Sequence, residues 1–287
     1  MKSTKLRRAV FAGSWYPSSA AECEKEIKGF LAEGKKMDFP VGELVGGIVP
    51  HAGWFFSGSI ACNVIGGLKS DEPPDVIVVF GMHLHPDSPC IMMAEGAWET
   101  PFGEICVDEQ LTGELTKQFS FKLESPGSFT QDNTIELQLP FIKYFFNEAK
   151  IVAMGVPPAK SSLGIGRAVV DIANRLDLRM KVIGSTDLTH YGRNYGFVSE
   201  GTGSQARDWV RNQNDRRIID LMLDMDAEKM IYEALASQNA CCAGAAATAI
   251  ATAKRLGADR AKSIAYATSY DKSPGDSFVG YVGIVFA

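Results

Sequence analysis

The sequence predicts an α/β protein of three layers, with helices on both faces of a central mixed sheet. Short runs of β-branched and aromatic residues alternate along the chain with stretches of helical periodicity, which is the pattern of a layered α/β fold. Hairpin-like segments near residue 100 and at the C-terminus indicate antiparallel strands in the same sheet. No internal repeat or long linker interrupts this pattern, so we expect one domain over residues 1–287.

In the first part of the chain, the clearest strand is the run Val-Ile-Val-Val-Phe, which ends at Gly81. Ser18 or Ser19 is a suitable cap for a helix that ends at Gly34. A Pro-Phe-Gly turn at 101–103 precedes another short strand. The predicted strands here are residues 44–49, 76–80, 90–94 and 104–107, and the predicted helices are about 19–34, 59–68 and 109–118.

The second part continues the alternation and ends in two strands. A helix predicted at about 134–148 contains Pro140, which we expect to kink it. An alanine-rich helix at 243–256 is expected to pack closely in the core. The other predicted helices are 163–176 and two stretches within 205–237, and the strands are 151–156, 181–184, 263–268 and 278–286.

Composition and charge exclude several classes of protein. The net charge is −5 and the pI is near 5.5, without basic clusters, which argues against nucleic acid or an anionic membrane as the main partner. No apolar stretch reaches the roughly 18–20 residues that cross a bilayer, and the apolar N-terminal run is too short for a secretory signal. Six cysteines in a chain of 287 residues do not form a disulfide framework, so we expect a cytoplasmic protein with reduced thiols.

All four histidines follow predicted strands. His51 follows the strand at 44–49, His83 and His85 follow the strand at 76–80, and His190 comes soon after the strand at 181–184. Ligands bind beyond the carboxyl ends of strands in open α/β sheets, and imidazole is a common metal ligand and acid/base group. These histidines are therefore expected to converge, although each could equally be a strand-end histidine bonded to backbone. His83 and His85 share a face if their segment is extended.

Two further polar groups accompany the histidines. Asp187 lies three residues before His190, and on a helical turn the carboxylate could orient the imidazole; the alternative is a capping aspartate beside an unrelated histidine. Glu136 lies in the first turn of a helix that Asn133 caps, where a carboxylate also suits the helix dipole, so a structural role is sufficient for it.

Cys241 and Cys242 stand at the start of the alanine-rich helix. Unpaired N–H groups at a helix N-terminus favour the thiolate, which is also the form that binds metals. The alternative is that they are small buried hydrophobic residues.

These motifs, in this order, resemble the Memo family, whose bacterial and archaeal members are called AmmeMemoRadiSam system protein B. The resemblance runs from about Ala12 to the last residue. It comprises Ala-Gly-Ser-Trp-Tyr-Pro at 12–17, Pro-His-Ala-Gly at 50–53, the segment that begins at Gly81, Thr-Ile-Glu at 134–136, Leu-Pro at 139–140, Ser-Thr-Asp at 185–187 with His190, Cys242, and the tail motifs at 266–269 and 279–281.

The resemblance implies a fold like that of the class III extradiol ring-cleaving dioxygenases, which use non-haem Fe(II). It implies that His51, His83 and Cys242 bind one divalent metal, iron before copper or zinc, with Asp187 and His190 as an acid/base pair beside it. His83 is preferred to His85 because counting back from Cys90 pairs it with the family's ligand. The sequence departs from the family where Gly-Met-His-Leu-His replaces Gly-Pro-(Ser/Asn)-His and where Asp-Asn-Thr-Ile-Glu at 132–136 replaces Glu-His-Ser-Ile-Glu, which removes a proton-transfer group.

The leading hypothesis is a metalloprotein that oxidises a small molecule, with aromatic molecules as one candidate class. One alternative is a non-catalytic module that holds a small ligand or peptide in the same cleft. Another is a zinc hydrolase with His190 or Glu136 as the base. The family resemblance also implies a functional link to radical SAM and AMMECR-type proteins.

Overall fold

The computed structural model describes residues 6–34 and 42–287. Within these residues the larger sheet contains nine strands and the smaller sheet contains three. The strands are β1 Leu6–Arg7, β2 Gly46–Val49, β3 Val76–Gly81, β4 Ile91–Met93, β5 Ala97–Thr100, β6 Gly103–Cys106, β7 Lys122–Glu124, β8 Lys150–Gly155, β9 Met180–Ser185, β10 His190–Tyr191, β11 Ala261–Thr268 and β12 Phe278–Phe286.

Helices cover both faces of the large sheet. Two of them are extended by π-helical turns, at Trp54–Gly58 before α2 and at Val210–Asn214 between α7 and α8. The helices are α1 Ala20–Gly34, α2 Ser59–Gly67, α3 Glu109–Gln118, α4 Asn133–Glu136, α5 Leu139–Phe145, α6 Lys160–Arg175, α7 Ser204–Trp209, α8 Asp215–Leu223, α9 Ala227–Ser237 and α10 Ala243–Arg255. No helix in the described ranges combines the length and the apolar character needed to span a bilayer.

The large sheet is mixed, as the sequence predicts. Its order is β10-β12-β2-β9-β3-β8-β4-β7, with β11 paired to β12. The four central strands β2, β9, β3 and β8 are parallel, whereas β12 and β4 run antiparallel to their neighbours β2 and β8. The carboxyl ends of β2, β9 and β3 are therefore adjacent at one edge of the sheet.

Alternate side chains of β3 pack into two different hydrophobic cores, one on each face of the sheet. Val78 and Phe80 pack in the core that includes α6 and α10, whereas Ile77 and Val79 pack in the core that includes α1, α2 and α5. This period-two alternation is what a strand buried on both faces produces. The prediction of a three-layer α/β/α fold is confirmed.

The alanine-rich composition of α10 follows from its close packing. Every residue of α10 from Ala243 to Ala253 is buried. A Cβ built on Gly184 of β9 would lie 2.7 Å from the Cβ of Ala249, so even one methyl group on the strand would not fit. Small side chains on the helix and glycine on the strand therefore permit this approach.

One predicted helix is two helices in the structure. The segment predicted as a kinked helix at 134–148 consists of α4 and α5, which are separated by Leu137 and Gln138. Pro140 lies in the first turn of α5. Proline lacks an N–H group and its ring clashes with a preceding carbonyl, so it is tolerated in the first turn of a helix and not in the interior. The expected kink is therefore a helix boundary.

Candidate metal centre and its cavity

Four side chains that can bind a metal meet at the carboxyl edge of the sheet. They are His51 after β2, His83 after β3, and Cys241 and Cys242 immediately before α10. One ligand atom from each lies within 4.8 Å of those of the other three. We call these four residues the His-Cys cluster. The two histidines meet because β2 and β3 flank β9 on either side. The cysteines join them because their backbone N–H groups are hydrogen-bonded to the residues that follow β9.

The imidazole of His51 is held in one orientation by its neighbours. His51 is 2% exposed, and its Nδ1 lies 3.0 Å from Ser185 Oγ. The Ser185 hydroxyl donates its hydrogen to the Thr134 carbonyl at 2.7 Å. Since that hydrogen is already used, Ser185 Oγ accepts from His51, and Nδ1 carries the proton. The neutral ring therefore presents the lone pair of Nε2 to the cluster, where Nε2 lies 3.2 Å from Cys241 Sγ.

His83 reaches the cluster through a left-handed turn after β3. Met82 has a φ of 70° and donates its N–H to Thr134 Oγ1 at 2.7 Å. The His83 ring then lies perpendicular to that of His51, with the ring centroids 5.0 Å apart. His83 Nδ1 lies 3.4 Å from Asp132 Oδ2, a contact that leaves Nε2 for the cluster. Burial lowers the pKa of His83, but hydrogen bonds to Asp132 and Cys241 outweigh burial and raise it to about 10.

The other histidine of this segment lies apart from the cluster. The His85 side chain is 78% exposed, and its Nδ1 lies 3.8 Å from Asp87 Oδ2. The structure therefore places His83, and not His85, beside His51 and the two cysteines.

The two thiols have opposite electrostatic properties. Burial raises the pKa of Cys241, but the hydrogen bond from Cys242 and the charge of His51 outweigh burial and place it well below 9.0. Burial and the neighbouring Cys241 sulfur raise the pKa of Cys242. The sequence favoured Cys242 as the sulfur ligand, whereas Cys241 is the sulfur that contacts His51. Adjacency to Cys242 at the start of α10 was the only signal for Cys241.

Asp187 is buried beside His51 and does not form the predicted helical turn with His190. Its Oδ1 accepts the His51 backbone N–H at 2.7 Å, and its Oδ2 lies 3.9 Å from His51 Nε2. Burial raises the pKa of Asp187, although the charge of His51 lowers it. Residues 186–189 form no helical turn, and His190 pairs with Val279 of β12. This strand pairing is the reason that the shared helical face does not exist.

His190 lines the cavity that opens in front of the His-Cys cluster. Its Nδ1 lies 3.2 Å from the carbonyl oxygen of Leu188, and its ring meets that of Tyr195 edge to face at 5.0 Å between centroids. A carbonyl can only accept, so Nδ1 carries a proton and the neutral ring has its lone pair on Nε2.

Glu136 has partners in the N-terminal segment. Its Oε1 accepts the backbone N–H groups of Val10 and Phe11, at 2.8 and 2.7 Å, and the Tyr16 hydroxyl at 3.1 Å. Burial raises the pKa of Glu136, while these hydrogen bonds lower it. Glu136 is 2% exposed and is not among the residues that line the cavity beside the cluster. Its catalytic role stays a prediction, and its contacts are those of a residue that anchors the N-terminal segment.

A cavity of about 620 Å³ opens in front of the cluster. His51, His83, Asp187 and His190 are its titratable lining groups apart from tyrosines, and none of its described lining residues is Lys or Arg. Three of its aromatic residues are well exposed, namely Trp15, Phe55 and Tyr195. The remaining lining residues are Ser14, Ala52, Gly53, Phe56, Asn133, Ser269, Ser273, Ser277, Val279 and Tyr281.

The His-Cys cluster fits a metal ion in chemistry and in size. Imidazole and thiolate are the ligands of zinc, copper and iron in proteins. Donor atoms at about 2.0–2.3 Å from a tetrahedral ion lie roughly 3.5 Å apart. The separations between His51 Nε2, Cys241 Sγ and Cys242 Sγ include 3.2 and 3.8 Å. The whole set lies within 4.8 Å, so small side-chain rotations are sufficient to close it around one ion.

Comparisons with known proteins agree with the resemblance seen in the motifs. The family model described as Memo-like protein matches residues 7–285. A MEMO1 family protein of Pyrococcus furiosus is 33% identical over 98% of this chain and 98% of its own length. MEMO1 family proteins of Thermococcus onnurineus and Methanopyrus kandleri are 31% and 32% identical, each over 98% of this chain and over 99% and 98% of their own lengths. The chain therefore belongs to the Memo family.

Proposed function

We propose that this Memo-family protein binds one divalent metal at His51, His83 and the Cys241–Cys242 pair, and that the metal faces a cavity where a small molecule is oxidised. The observation that supports the proposal is the meeting of two imidazoles and two sulfurs within 4.8 Å, with both imidazoles lining that cavity. Iron is placed before copper or zinc because the resemblance is to iron(II) dioxygenases, while the two sulfurs also suit copper and zinc.

The bound metal would supply Lewis acidity and, with iron or copper, would accept electrons from a molecule in the cavity. The chain supplies the groups around it. Asp187 holds the His51 backbone, Ser185 bonds Nδ1 of the His51 ring, and Asp132 contacts Nδ1 of the His83 ring, so that both rings offer Nε2. Outer contacts of this kind set the tautomer and the basicity of metal-binding histidines.

His190 is the proposed acid/base group for the molecule in the cavity. Its Nδ1 is occupied by the Leu188 carbonyl, so a proton is taken or given at Nε2. Asp187 lines the same cavity but is already bonded to the His51 backbone. We therefore assign Asp187 to positioning and electrostatics, and His190 to proton transfer.

A second function is favoured by the number of sulfurs. Two imidazoles and two thiolates form the closed tetrahedral set of structural zinc sites, which keeps no position open for a substrate. If all four residues bind, the protein is a zinc-containing module that holds a small ligand or peptide in the cavity. A zinc hydrolase with His190 as base requires one of the four to stay unbound.

Metal titration of reduced protein under anaerobic conditions tests the proposal. Fe²⁺, Zn²⁺ and Cu⁺ are each titrated into metal-free protein, and the bound metal is quantified by elemental mass spectrometry. We expect one metal per chain, and a loss of affinity of more than about tenfold in His51→Ala and His83→Ala. His85→Ala is the matched control, because this exposed histidine lies two residues from His83 and outside the cluster. Unchanged binding in both cluster variants would refute the metal site.

Oxygen consumption separates the two functions. The iron-loaded protein is supplied with a panel of small phenols in buffer that contains O₂. Consumption that requires His190 and iron supports oxidation. A preference for zinc that needs all four cluster residues, without oxygen uptake, supports the non-catalytic module.

A further inference from the structure

Two adjacent thiols in the cluster lie close enough to react with each other. Cys241 and Cys242 are neighbours in sequence, and their sulfurs lie only 3.8 Å apart. Successive side chains of an extended chain point to opposite sides, but a turn at this point directs both sulfurs to the same side. We propose that Cys241 and Cys242 form a modification site at which a peroxide closes a reversible disulfide between adjacent residues.

The backbone of the pair is held by hydrogen bonds to the two residues that follow β9. Cys241 donates its N–H to the Asp187 carbonyl at 3.1 Å, and Cys242 donates its N–H to Thr186 Oγ1 at 3.0 Å. A disulfide bond is about 2.05 Å long, so the sulfurs must approach by less than about 2 Å. Rotation about the two χ1 bonds brings the sulfurs together, and the eight-membered ring that forms also requires the peptide between the two residues to adjust.

A small oxidant can reach one of the two sulfurs. Cys241 is partly exposed and lies beside His83, whose side chain is 45% exposed at the cavity. Cys242 is 3% exposed. This asymmetry assigns the attacking sulfur to Cys241 and the resolving sulfur to Cys242. Cys106 is exposed on β6 and serves as a reference for a surface thiol.

The chemistry balances with hydrogen peroxide as the only co-reactant. The Cys241 sulfur bonds to one peroxide oxygen, the O–O bond breaks, and the other oxygen leaves and ends as water. The Cys242 sulfur then bonds to the Cys241 sulfur, and the S–O bond of the sulfenic acid breaks to release a second water. Two thiols are oxidised, one peroxide is reduced, and the two thiol hydrogens end in the two waters.

The disulfide is expected to be easily reduced. The Cα atoms of adjacent residues are about 3.8 Å apart across a trans peptide, which is closer than in ordinary disulfides, and such strain makes the bond more reducible. Closure also removes both sulfurs from the His-Cys cluster. The consequence for metal affinity, unlike the disulfide itself, rests on the proposed metal site.

Peroxide treatment of the full-length, reduced, metal-free protein tests the proposal. Trypsin releases residues 230–254 as one peptide that contains both cysteines and no others. We expect this peptide to lose about 2 Da, the mass of two hydrogens, and to recover them after treatment with a dithiol reductant. Cys241→Ser and Cys242→Ser should each abolish the loss, whereas the control Cys106→Ser should keep it.

Other products would overturn the proposal. Oxidation of Cys106 while the 230–254 peptide keeps its mass, or addition of oxygen to Cys241 while Cys242 stays a free thiol, would show that the pair does not close. Disulfides that join two chains would show the same.

Zinc titration of the reduced and oxidised proteins separates this proposal from the metal site. If both proposals hold, the reduced protein binds zinc, the oxidised protein binds at least about tenfold more weakly, and bound zinc slows the loss of 2 Da. If the disulfide forms in a protein that has no affinity for zinc, the disulfide proposal is supported and the metal site is refuted. If the protein binds zinc but no disulfide forms, the metal site is supported and the disulfide proposal is refuted.

Discussion

Substitution of Gly244 by alanine should destabilise the protein through one methyl group at the start of α10. A Cβ on Gly244 would lie 2.4 Å from three atoms, the carbonyl carbon and oxygen of Pro157 and the carbonyl oxygen of Val156. All three belong to the backbone, so no side chain can rotate away. Ordinary contacts of a Cβ lie at 3.4–4 Å, which means that α10 or the segment after β8 must shift by about 1 Å.

The magnitude follows from two opposing effects. Overpacking of a close-packed interior costs about 1–3 kcal/mol. Replacing glycine by alanine within a helix gains roughly 1 kcal/mol in the middle of the helix and less at its first turn. We therefore expect Gly244→Ala to lower the free energy of unfolding by about 1–2 kcal/mol. The shift also displaces Cys241 and Cys242, so metal affinity should fall by about tenfold or more.

A matched substitution isolates the steric effect. Gly113 lies within α3, and nothing lies within 4 Å of a Cβ built there. Gly113→Ala should raise the free energy of unfolding by roughly 0.5–1 kcal/mol and leave metal affinity unchanged. Urea unfolding of both variants measures the stabilities, and zinc titration measures the affinities. If the two variants change stability in the same direction, the close approach of α10 is not what fixes residue 244 as glycine.

Three further predictions concern buried polar groups. Ser185→Ala removes the acceptor of His51 Nδ1, and a zinc titration should show a loss of affinity of about 10–100-fold although no cluster residue has changed. Burial raises the pKa of Asp215 to about 6, although hydrogen bonds lower it. The native state thus binds the proton of the Asp215 carboxyl more tightly than the unfolded chain does, so the free energy of unfolding falls as pH rises from about 4 to 6. Urea unfolding at both pH values should show that this fall is smaller in Asp215→Asn than in the unsubstituted protein. The Arg7 guanidinium lies between two rings, 3.9 Å from Trp98 and 4.0 Å from Phe129. Arg7→Lys should cost about 1–2 kcal/mol in a thermal or urea denaturation, whereas the control Arg8→Lys at an exposed ion pair should change stability by less than about 0.5 kcal/mol.

The sheet and its carboxyl edge could be predicted because their signal is local. A buried parallel strand is a continuous run of β-branched residues, and β3 shows this pattern over Val76–Gly81. The same pattern located β2 and β9, and parallel neighbours bring their carboxyl ends together. The meeting of His51 and His83 is a geometric consequence of that arrangement. The short strands β1, β7 and β10, of two or three residues each, contain too few positions to show any alternation.

The features that the sequence missed depend on contacts between distant segments. His190 is extended because it pairs with Val279, which lies 89 positions further along the chain. The Glu136 carboxylate accepts hydrogen bonds from the backbone N–H groups of Val10 and Phe11, which lie more than 120 positions before it. A pattern of neighbouring residues does not contain such partners, so the local sequence allowed a helical turn at His190 and gave no sign of the N-terminal partners of Glu136.

The end of β9 and the two residues after it position three of the four residues of the His-Cys cluster. Ser185 contacts the His51 ring, and Asp187 Oδ1 accepts the His51 backbone N–H. Thr186 Oγ1 accepts the N–H of Cys242, and the Asp187 carbonyl accepts that of Cys241. Ser185 at the end of β9 and the two residues after it thus hold the His51 ring and the backbone of both cysteines. Since β9 lies between β2 and β3, a displacement of this strand end changes the spacing of three of the four donors at once, so substitutions at residues 185–187 should alter the affinity of the proposed metal site with every donor still present.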